Sequence, residues 1–357
     1  MSEARPESLK VGVVGGGTIA ETHVPYIRAA GGEIVAVSDL SVVASNDLAD
    51  RYQIQRIHRA VEDLIEVEKP DVVHVLTPPH THAAVAIAAL ERGVHVLVEK
   101  PMAIDPTEVD RMVAAAKAGG AMLTVDHNRL FDPVMLEAKR LVESGEIGDL
   151  VAIESYQAGT ASERAWLSTL QGGGLGDLVP HPLYLQLAFL GGVQSIQAMS
   201  MDRQGRGTPD ELRVLMQGDE RSGVLTISTH AVPHLNTLKL CGSKMTVEVN
   251  LNNMSLVRRR DYDVPKIIGK PLPNIDESYQ LMTQVVSNTV NFVRGKIRYY
   301  PGMKTLIQLF YDAIREGGEP PVTIEQGGEV VRVTSAIWRA LDEAEEQSPS
   351  PRVEATG

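Results

Sequence analysis

Three stretches of this chain hold residue types at spacings that suit chemistry. The first is Gly15-Gly16-Gly17-Thr18-Ile19-Ala20, which fits G-x-G-x-x-G/A with Gly15, Gly17 and Ala20 at the fixed positions. In such a turn the first glycine permits a tight bend. The second lets backbone N–H groups approach a pyrophosphate, and the third, small residue lets helix and strand pack closely. Thr18 and Ile19 would open a helix whose free amides and dipole favour an anion. Asp39, nineteen residues after Ala20, is placed to accept both hydroxyls of a ribose. A 2′-phosphate would meet its charge, and no Lys or Arg follows until Arg51, so NAD is favoured over NADP.

The second stretch is Glu99-Lys100-Pro101, directly after the apolar run 94–98. Ligands of open α/β sheets sit at the carboxyl ends of strands, which would place Lys100 beside them. A partly desolvated ammonium has a lowered pKa and can exchange a proton. Taken alone, the ordinary reading of Lys100 is a solvated loop lysine. The third stretch runs Gly172-Gly173-Gly174-Leu175-Gly176-Asp177-Leu178-Val179-Pro180-His181. Asp177 and His181 are four residues apart, so one helix would carry both on one face. Histidine transfers protons near neutral pH, and a carboxylate can orient its ring. A plain hydrogen bond on a helix surface is the simpler reading of an isolated pair.

The elements that must position these residues alternate across 9–126. Apolar runs at 9–14, 33–39, 72–76, 94–98 and 121–125 alternate with helical patterns at 18–30, 83–92 and from Asp105-Pro106 to Gly119-Gly120. Runs apolar on both faces, separated by helices, describe a doubly wound α/β domain with a parallel sheet. Asp105, Pro106 and Glu108 supply a helix start, and Gly93 a left-handed helix stop. Pro25 falls inside the first helix, where a kink is expected. After residue 150 the pattern changes to short runs at 150–156, 195–202, 211–217, 223–229, 237–241, 245–249 and 254–258. Several alternate apolar with polar residues, as a mainly antiparallel open sheet with one covered face requires. Helical patterns return at 279–294, 303–316 and 329–345. The expected division is a nucleotide-binding domain over 1–128, an α+β domain over 129–346 and a loose tail over 347–357.

Composition narrows the partners. Of 357 residues 43% are hydrophobic and 22% charged, a globular mixture. Acidic residues outnumber basic ones 46 to 34, and the longest basic cluster, Arg258-Arg259-Arg260, is followed by Asp261, so no nucleic acid is expected. Cys241 is the single cysteine, which excludes an internal disulfide framework and a multi-cysteine zinc site. No apolar run reaches the roughly 18 residues of a membrane span, and 1–10 has no signal-type segment, so a cytoplasmic protein without membrane contact is expected. His80 and His82 have the spacing of metal ligands, but no carboxylate or cysteine cluster lies nearby and no metal is expected. The outer face of the second sheet lacks enough helices to cover it, so a homo-dimer or homo-tetramer is expected.

Together these motifs resemble the Gfo/Idh/MocA family, which contains glucose-fructose oxidoreductase, inositol dehydrogenases and many sugar dehydrogenases. The resemblance rests on the glycine turn, Asp39, Thr77-Pro78-Pro79-His80-Thr81-His82, Glu99-Lys100-Pro101 and the glycine-rich approach to Asp177 and His181, and it spans nearly the whole chain. It implies a Rossmann domain followed by a substrate domain with a large open sheet. It also implies that Lys100, Asp177 and His181 are catalytic. The cofactor cleft would draw on Gly15, Gly17, Thr18, Ile19, Asp39, Thr77, Pro78, His82, Glu99, Lys100 and Asn128, and Arg164 and Trp166 would join the catalytic three at the substrate. The implied activity is NAD-dependent hydride transfer to or from a secondary alcohol of a sugar, polyol or cyclitol. A redox-neutral, NAD-recycling epimerase, lyase or glycosidase uses the same residues, and a non-catalytic NAD sensor is a third reading. The chain departs from the family where Pro180 and Pro182 bracket His181 and where Tyr184 takes a position often held by aspartate.

Overall fold

The computed structural model describes residues 8–160, 164–205, 207–295 and 300–347. It divides into two compact units. Of the described residues, the first holds those up to Arg140 and those within 274–332, and the second holds those within 141–273 and from Val333 onward. The units are therefore not the two contiguous blocks expected from the sequence.

The first unit begins with β1 (Leu9–Val14), α1 (Thr18–Ala29), β2 (Gly32–Ser38), α2 (Val42–Tyr52), β3 (Ile57–His58), α3 (Val61–Glu68) and β4 (Val72–Val75). It continues through α4 (Pro79–Leu90), β5 (His95–Val98), α5 (Pro106–Gly119) and β6 (Leu123–Val125) to α6 (Pro133–Glu143). The six strands are parallel, in the order β3-β2-β1-β4-β5-β6. Val11, Val13, Val72, Val73, Val75, Val96, Leu97 and Val98 are fully buried, which is why the strands read as unbroken apolar runs. Strand order reverses between β1 and β4, and such a reversal opens a crevice at the carboxyl ends of the strands. The edge strand β3 has two residues, too few for any periodic signal.

The expected start and stop signals operate. Asp105 Oδ1 accepts from Thr107 N at 2.7 Å, and Glu108 Oε2 reaches back to Ile104 N at 3.2 Å. Gly93 sits at φ +75°. Pro25 lies inside α1, which runs as one helix from Thr18 to Ala29. Proline cannot donate to the carbonyl of Glu21, but Tyr52 at the end of α2 can, and its hydroxyl donates to that oxygen at 2.9 Å. Tyr52→Phe should lower unfolding stability by about 1 kcal/mol through loss of this bond. A urea titration with an unchanged midpoint would count against it.

The second unit holds β7 (Leu150–Ala158), α7 (Gly174–Leu178), α8 (Pro180–Leu190), β8 (Ser195–Met201), β9 (Glu211–Gln217), β10 (Ser222–Ser228), β11 (Leu235–Gly242), β12 (Thr246–Asn250), β13 (Ser255–Arg259) and α9 (Lys266–Gly269). Seven strands form one sheet in the order β13-β12-β11-β7-β10-β9-β8. The β7–β10 pair is parallel and the others antiparallel, so the expected mainly antiparallel sheet is mixed at one seam. Inward residues such as Leu212, Val214, Leu225, Ile227, Leu238, Leu240, Val247 and Val249 are fully buried.

Three helices follow: α10 (Leu272–Val293), α11 (Pro301–Glu316) and α12 (Ile324–Gln347). The sequence places 303–316 in the second domain, yet α11 belongs to the core of the first. Leu306, Ile307, Phe310 and Tyr311 are fully buried there. Gly32 makes room for the Tyr311 ring, since a Cβ on it would come within 2.9 Å of Cε2. Amphipathic periodicity shows that a helix must be covered, not by which sheet. Beyond residue 347 the expected tail lies outside the described residues.

Candidate active site

The glycine turn joins β1 to α1 in the first unit. Gly15 has φ +105°, and a Cβ there would lie 2.6 Å from the Leu76 carbonyl oxygen, so no other residue fits without strain. Its N–H donates to Ser38 O at 2.8 Å. Gly17 differs. It caps α1 with ordinary dihedrals, and a Cβ on it would meet nothing within 4 Å. Its missing side chain leaves open space at a helix N-terminus that no side chain caps, with Thr18 and Ile19 in the first turn. This is the cradle a pyrophosphate needs. Asp39 follows β2 and is held against the turn, with Oδ2 accepting from Gly16 N and Oδ1 from Ser41 N, both at 2.7 Å. Gly17→Val should leave folding unchanged and cost at least about tenfold in NAD affinity, or 1.4 kcal/mol. Cofactor fluorescence titration beside a thermal melt checks this, and undiminished affinity would show that the space lies elsewhere.

Thr77 and Pro78 follow β4. The sequence reads the neighbouring His82 as a cofactor-cleft residue. Its ring is buried on α4, with Nδ1 2.7 Å from Pro101 O and Nε2 2.6 Å from Thr77 O. It thereby ties the loop after β4 to the loop after β5. Burial pushes its pKa down, against the pull of the two carbonyls.

The ends of β5 and β6 carry a buried charged cluster that the sequence reading did not identify. His23 on α1 has Nε2 3.2 Å from Glu99 Oε1 and 3.7 Å from Asp126 Oδ2. Its Nδ1 lies 3.1 Å from His74 Nδ1 on β4, and His74 Nε2 lies 2.9 Å from the Tyr311 hydroxyl on α11. Burial opposes the His23 cation, but bonds and charge from Asp126 and Glu99 outweigh it and raise the pKa to about 9. A doubly protonated His23 donates to both Glu99 and His74, which makes His74 a neutral acceptor at Nδ1 and a donor at Nε2. Burial and the His23 charge keep His74 neutral, well below the ordinary histidine range. Burial also works against the Glu99 carboxylate, yet the His23 bond and charge and the nearby Lys100 hold it below its ordinary value. Asp126 moves the other way, pushed up by burial and by the Glu99 charge. The two carboxyls are thus driven apart, with Asp126 the one that keeps its proton to the higher pH.

This cluster fixes the backbone at Lys100, whose N–H donates to Glu99 Oε2 at 3.1 Å. The Lys100 side chain is half-buried. Asn128 starts a short 3₁₀ turn after β6 and donates from Nδ2 to Asp126 Oδ2 at 3.1 Å. Two signals were available in the sequence. His74 interrupts the apolar run of β4, and Asp126 directly follows a buried strand. His23 and Tyr311 carried no such mark.

In the second unit Asp177 lies on α7 and His181 in the first turn of α8, both half-buried. The glycines before them have a steric cause. Gly172 has φ +75°, and a Cβ there would lie 2.1 Å from the Trp338 ring. Pro180 and Pro182 are the first and third residues of α8, which takes both without a break. Val179 stays helical between α7 and α8. The Tyr184 hydroxyl lies 3.4 Å from His181 Nδ1, with the rings edge to face. Arg164 sits over the Trp166 ring at 5.9 Å on the turn before the glycines.

A doubly wound unit with a vacant-sided glycine turn, joined to a mixed-sheet unit, defines a two-domain, dinucleotide-dependent class of oxidoreductase fold. Residues 9–127 match the oxidoreductase family with NAD-binding Rossmann fold, and residues 135–248 match the GFO/IDH/MocA C-terminal domain. The chain belongs to the Gfo/Idh/MocA family, and its first unit is an NAD-binding domain. It is 32% identical to the inositol 2-dehydrogenase of Salmonella paratyphi B over 162 residues, 44% of this chain and 48% of that protein. It is 26% identical to the uncharacterized oxidoreductase YdgJ of Escherichia coli over 344 residues, 92% and 94% of the two chains. Among solved structures, the WlbA dehydrogenase of Bordetella pertussis, in complex with NADH and UDP-GlcNAcA, superposes with a TM-score of 0.79 at 18% identity, covering 96% of this chain and 98% of that one. That likeness concerns the fold. Several curated relatives are matched over about half their length, 42% for YrbE of Bacillus subtilis. Among the described residues no helix is long and apolar enough to cross a membrane.

Proposed function

We propose that the protein is an NAD-dependent dehydrogenase acting on a secondary alcohol of a sugar, polyol or cyclitol. The observation that carries this reading is the Glu99-Lys100-Pro101 loop, fixed by His23 at the carboxyl end of β5 inside an NAD-binding unit. Bound nicotinamide supplies the hydride acceptor or donor, and the protein supplies orientation and proton handling. Gly15, Gly17, Thr18 and Ile19 would hold the pyrophosphate, and Asp39 the ribose. Thr77, Pro78 and Asn128 flank the same strand ends.

Lys100 hydrogen-bonds the reacting oxygen and stabilises the charge that develops on it. His181 takes the hydroxyl proton in oxidation and returns it in reduction, and Asp177 orients its ring. Tyr184, in contact with His181, stands where the family often has an aspartate. Arg164 and Trp166 contact the substrate.

Oxidation of a panel of sugars, polyols and amino-sugars with NAD and with NADP tests the proposal. Net NADH formation with NAD and a sugar-like alcohol is expected. Substrate conversion without NADH accumulation would indicate the redox-neutral reaction instead, and tight NAD binding without turnover of any alcohol or ketone would indicate a sensor. Self-association through the second sheet is part of the same reading. Met199, Met201, Leu215 and Val224 lie on one face of β8, β9 and β10 and are exposed.

A further inference from the structure

The helix α10 has no buried residue along its 22 positions. Its composition is nonetheless that of a packed helix. Ile275, Tyr279, Met282, Val286 and Val293 follow one another at intervals of four, three, four and seven, which puts them on a single face. They are 58 to 79% exposed, and Val285, Val290 and Phe292 beside them are exposed too. Together these side chains leave on the order of 1,000 Å² open to water, well above the few hundred Å² of an ordinary monomer patch. Helices in water are held mainly by packing of such a face, so this one needs a cover.

The polar residues of α10 indicate which cover. Asp276 and Glu277 lie near its N-terminal end and Arg294 just beyond its C-terminal end, with only Ser, Thr, Asn and Gln between them among the polar positions. An interfacial membrane helix carries Lys and Arg along its polar face, and this one does not. The same charges are self-complementary if two copies lie head to tail.

We propose that α10 pairs antiparallel with α10 of a second copy of this chain about a two-fold axis. Met282 of one copy then faces Val286 of the other, and Ile275 faces Val293. Arg294 comes beside the acidic pair of the opposite helix, and the two helix dipoles oppose. The contact is isologous, so each apolar stripe covers the other. The stripes of two copies remove roughly 1,200 Å² from water, the lower end of a specific interface. The assembly is independent of any association through the sheet and of the reaction catalysed.

Sedimentation equilibrium of the full chain tests it. Met282→Glu with Val286→Glu should halve the average mass, from dimer to monomer, or from tetramer to dimer if the sheet also associates. Circular dichroism should show an unchanged fold, because both substituted side chains are more than half exposed in the monomer. Met199→Glu with Leu215→Glu reports the sheet separately. Arg294→Glu should weaken association at least about tenfold through like-charge contact. Adding Asp276→Arg and Glu277→Arg to it should restore association, as only the antiparallel arrangement requires. An unchanged mass in the Met282/Val286 variant, or no restoration by the charge swap, would overturn the pairing. So would flotation of the wild-type chain with phosphatidylcholine–phosphatidylserine vesicles that is lost in that variant while mass stays constant.

Discussion

Replacing Lys100 by alanine will cut turnover at least about 100-fold while NAD stays bound, since positioned proton transfer contributes roughly 10² to 10⁴ in rate. The groups proposed to hold the dinucleotide, from Gly15 to Ile19 and Asp39, belong to other strand ends of the sheet and do not depend on the Lys100 side chain. The loop itself is held from behind, through Glu99 and His23, so removal of the ammonium leaves its backbone in place. Lys100→Arg is the sharper variant. Guanidinium keeps the charge but does not release a proton in this range, so a group that only stabilises charge tolerates the exchange and one that also relays a proton does not. Steady-state kinetics with the alcohol found in the substrate panel, beside fluorescence titration of NADH, measures both quantities. Near-normal turnover in the alanine variant would reject Lys100 as the catalytic lysine.

Exchanging His23 for asparagine should destabilise the protein at neutral pH by about 3–5 kcal/mol, because it strands the buried Glu99 carboxylate without its cation. The dependence on pH follows from the direction of the shift. His23 is raised from 6.5 to about 9 in the folded chain. Its contribution is fully present below the unfolded value of 6.5 and is lost as pH climbs through about 9. The gap between wild type and His23→Asn should therefore narrow from pH 7 to pH 10. Denaturant unfolding at the two pH values decides it. An equal gap at both would mean that the ring acts through packing alone. The residues facing His23 are Glu99 just after β5, Asp126 just after β6 and His74 on β4. His74 is kept neutral, so the two carboxyls supply the attraction that raises His23.

The alternation of buried strands and helices over 9–126 was legible because parallel strands bury both faces and leave an unbroken apolar signature. β1 falls on the apolar run at 9–14, and β9 on the run at 211–217. The glycine turn was legible for a related reason, since Gly15 answers to a positive φ and a nearby carbonyl that no other residue tolerates. α2 and α3 were not foreseen, and neither was β3, whose two residues carry no period. The same limit applied to the first helix. Pro25 in the sequence announces a lost hydrogen bond, but not the Tyr52 hydroxyl that replaces it from another helix.

By itself, then, the order of residues determined the doubly wound sheet, the glycine turn after β1, the acidic residue after β2 and the lysine after β5, because local dihedral needs and two-sided burial are written into neighbouring residues. Only the tertiary structure decided that α11 packs on the first unit, that Tyr311, His74 and His23 form one buried line, and that Asp126 and Glu99 share its end with unequal affinity for a proton. Those outcomes depend on side chains from positions as far apart as 74 and 311 meeting away from water. There the cost of burying charge is set by the partners that folding supplies, not by sequence neighbours.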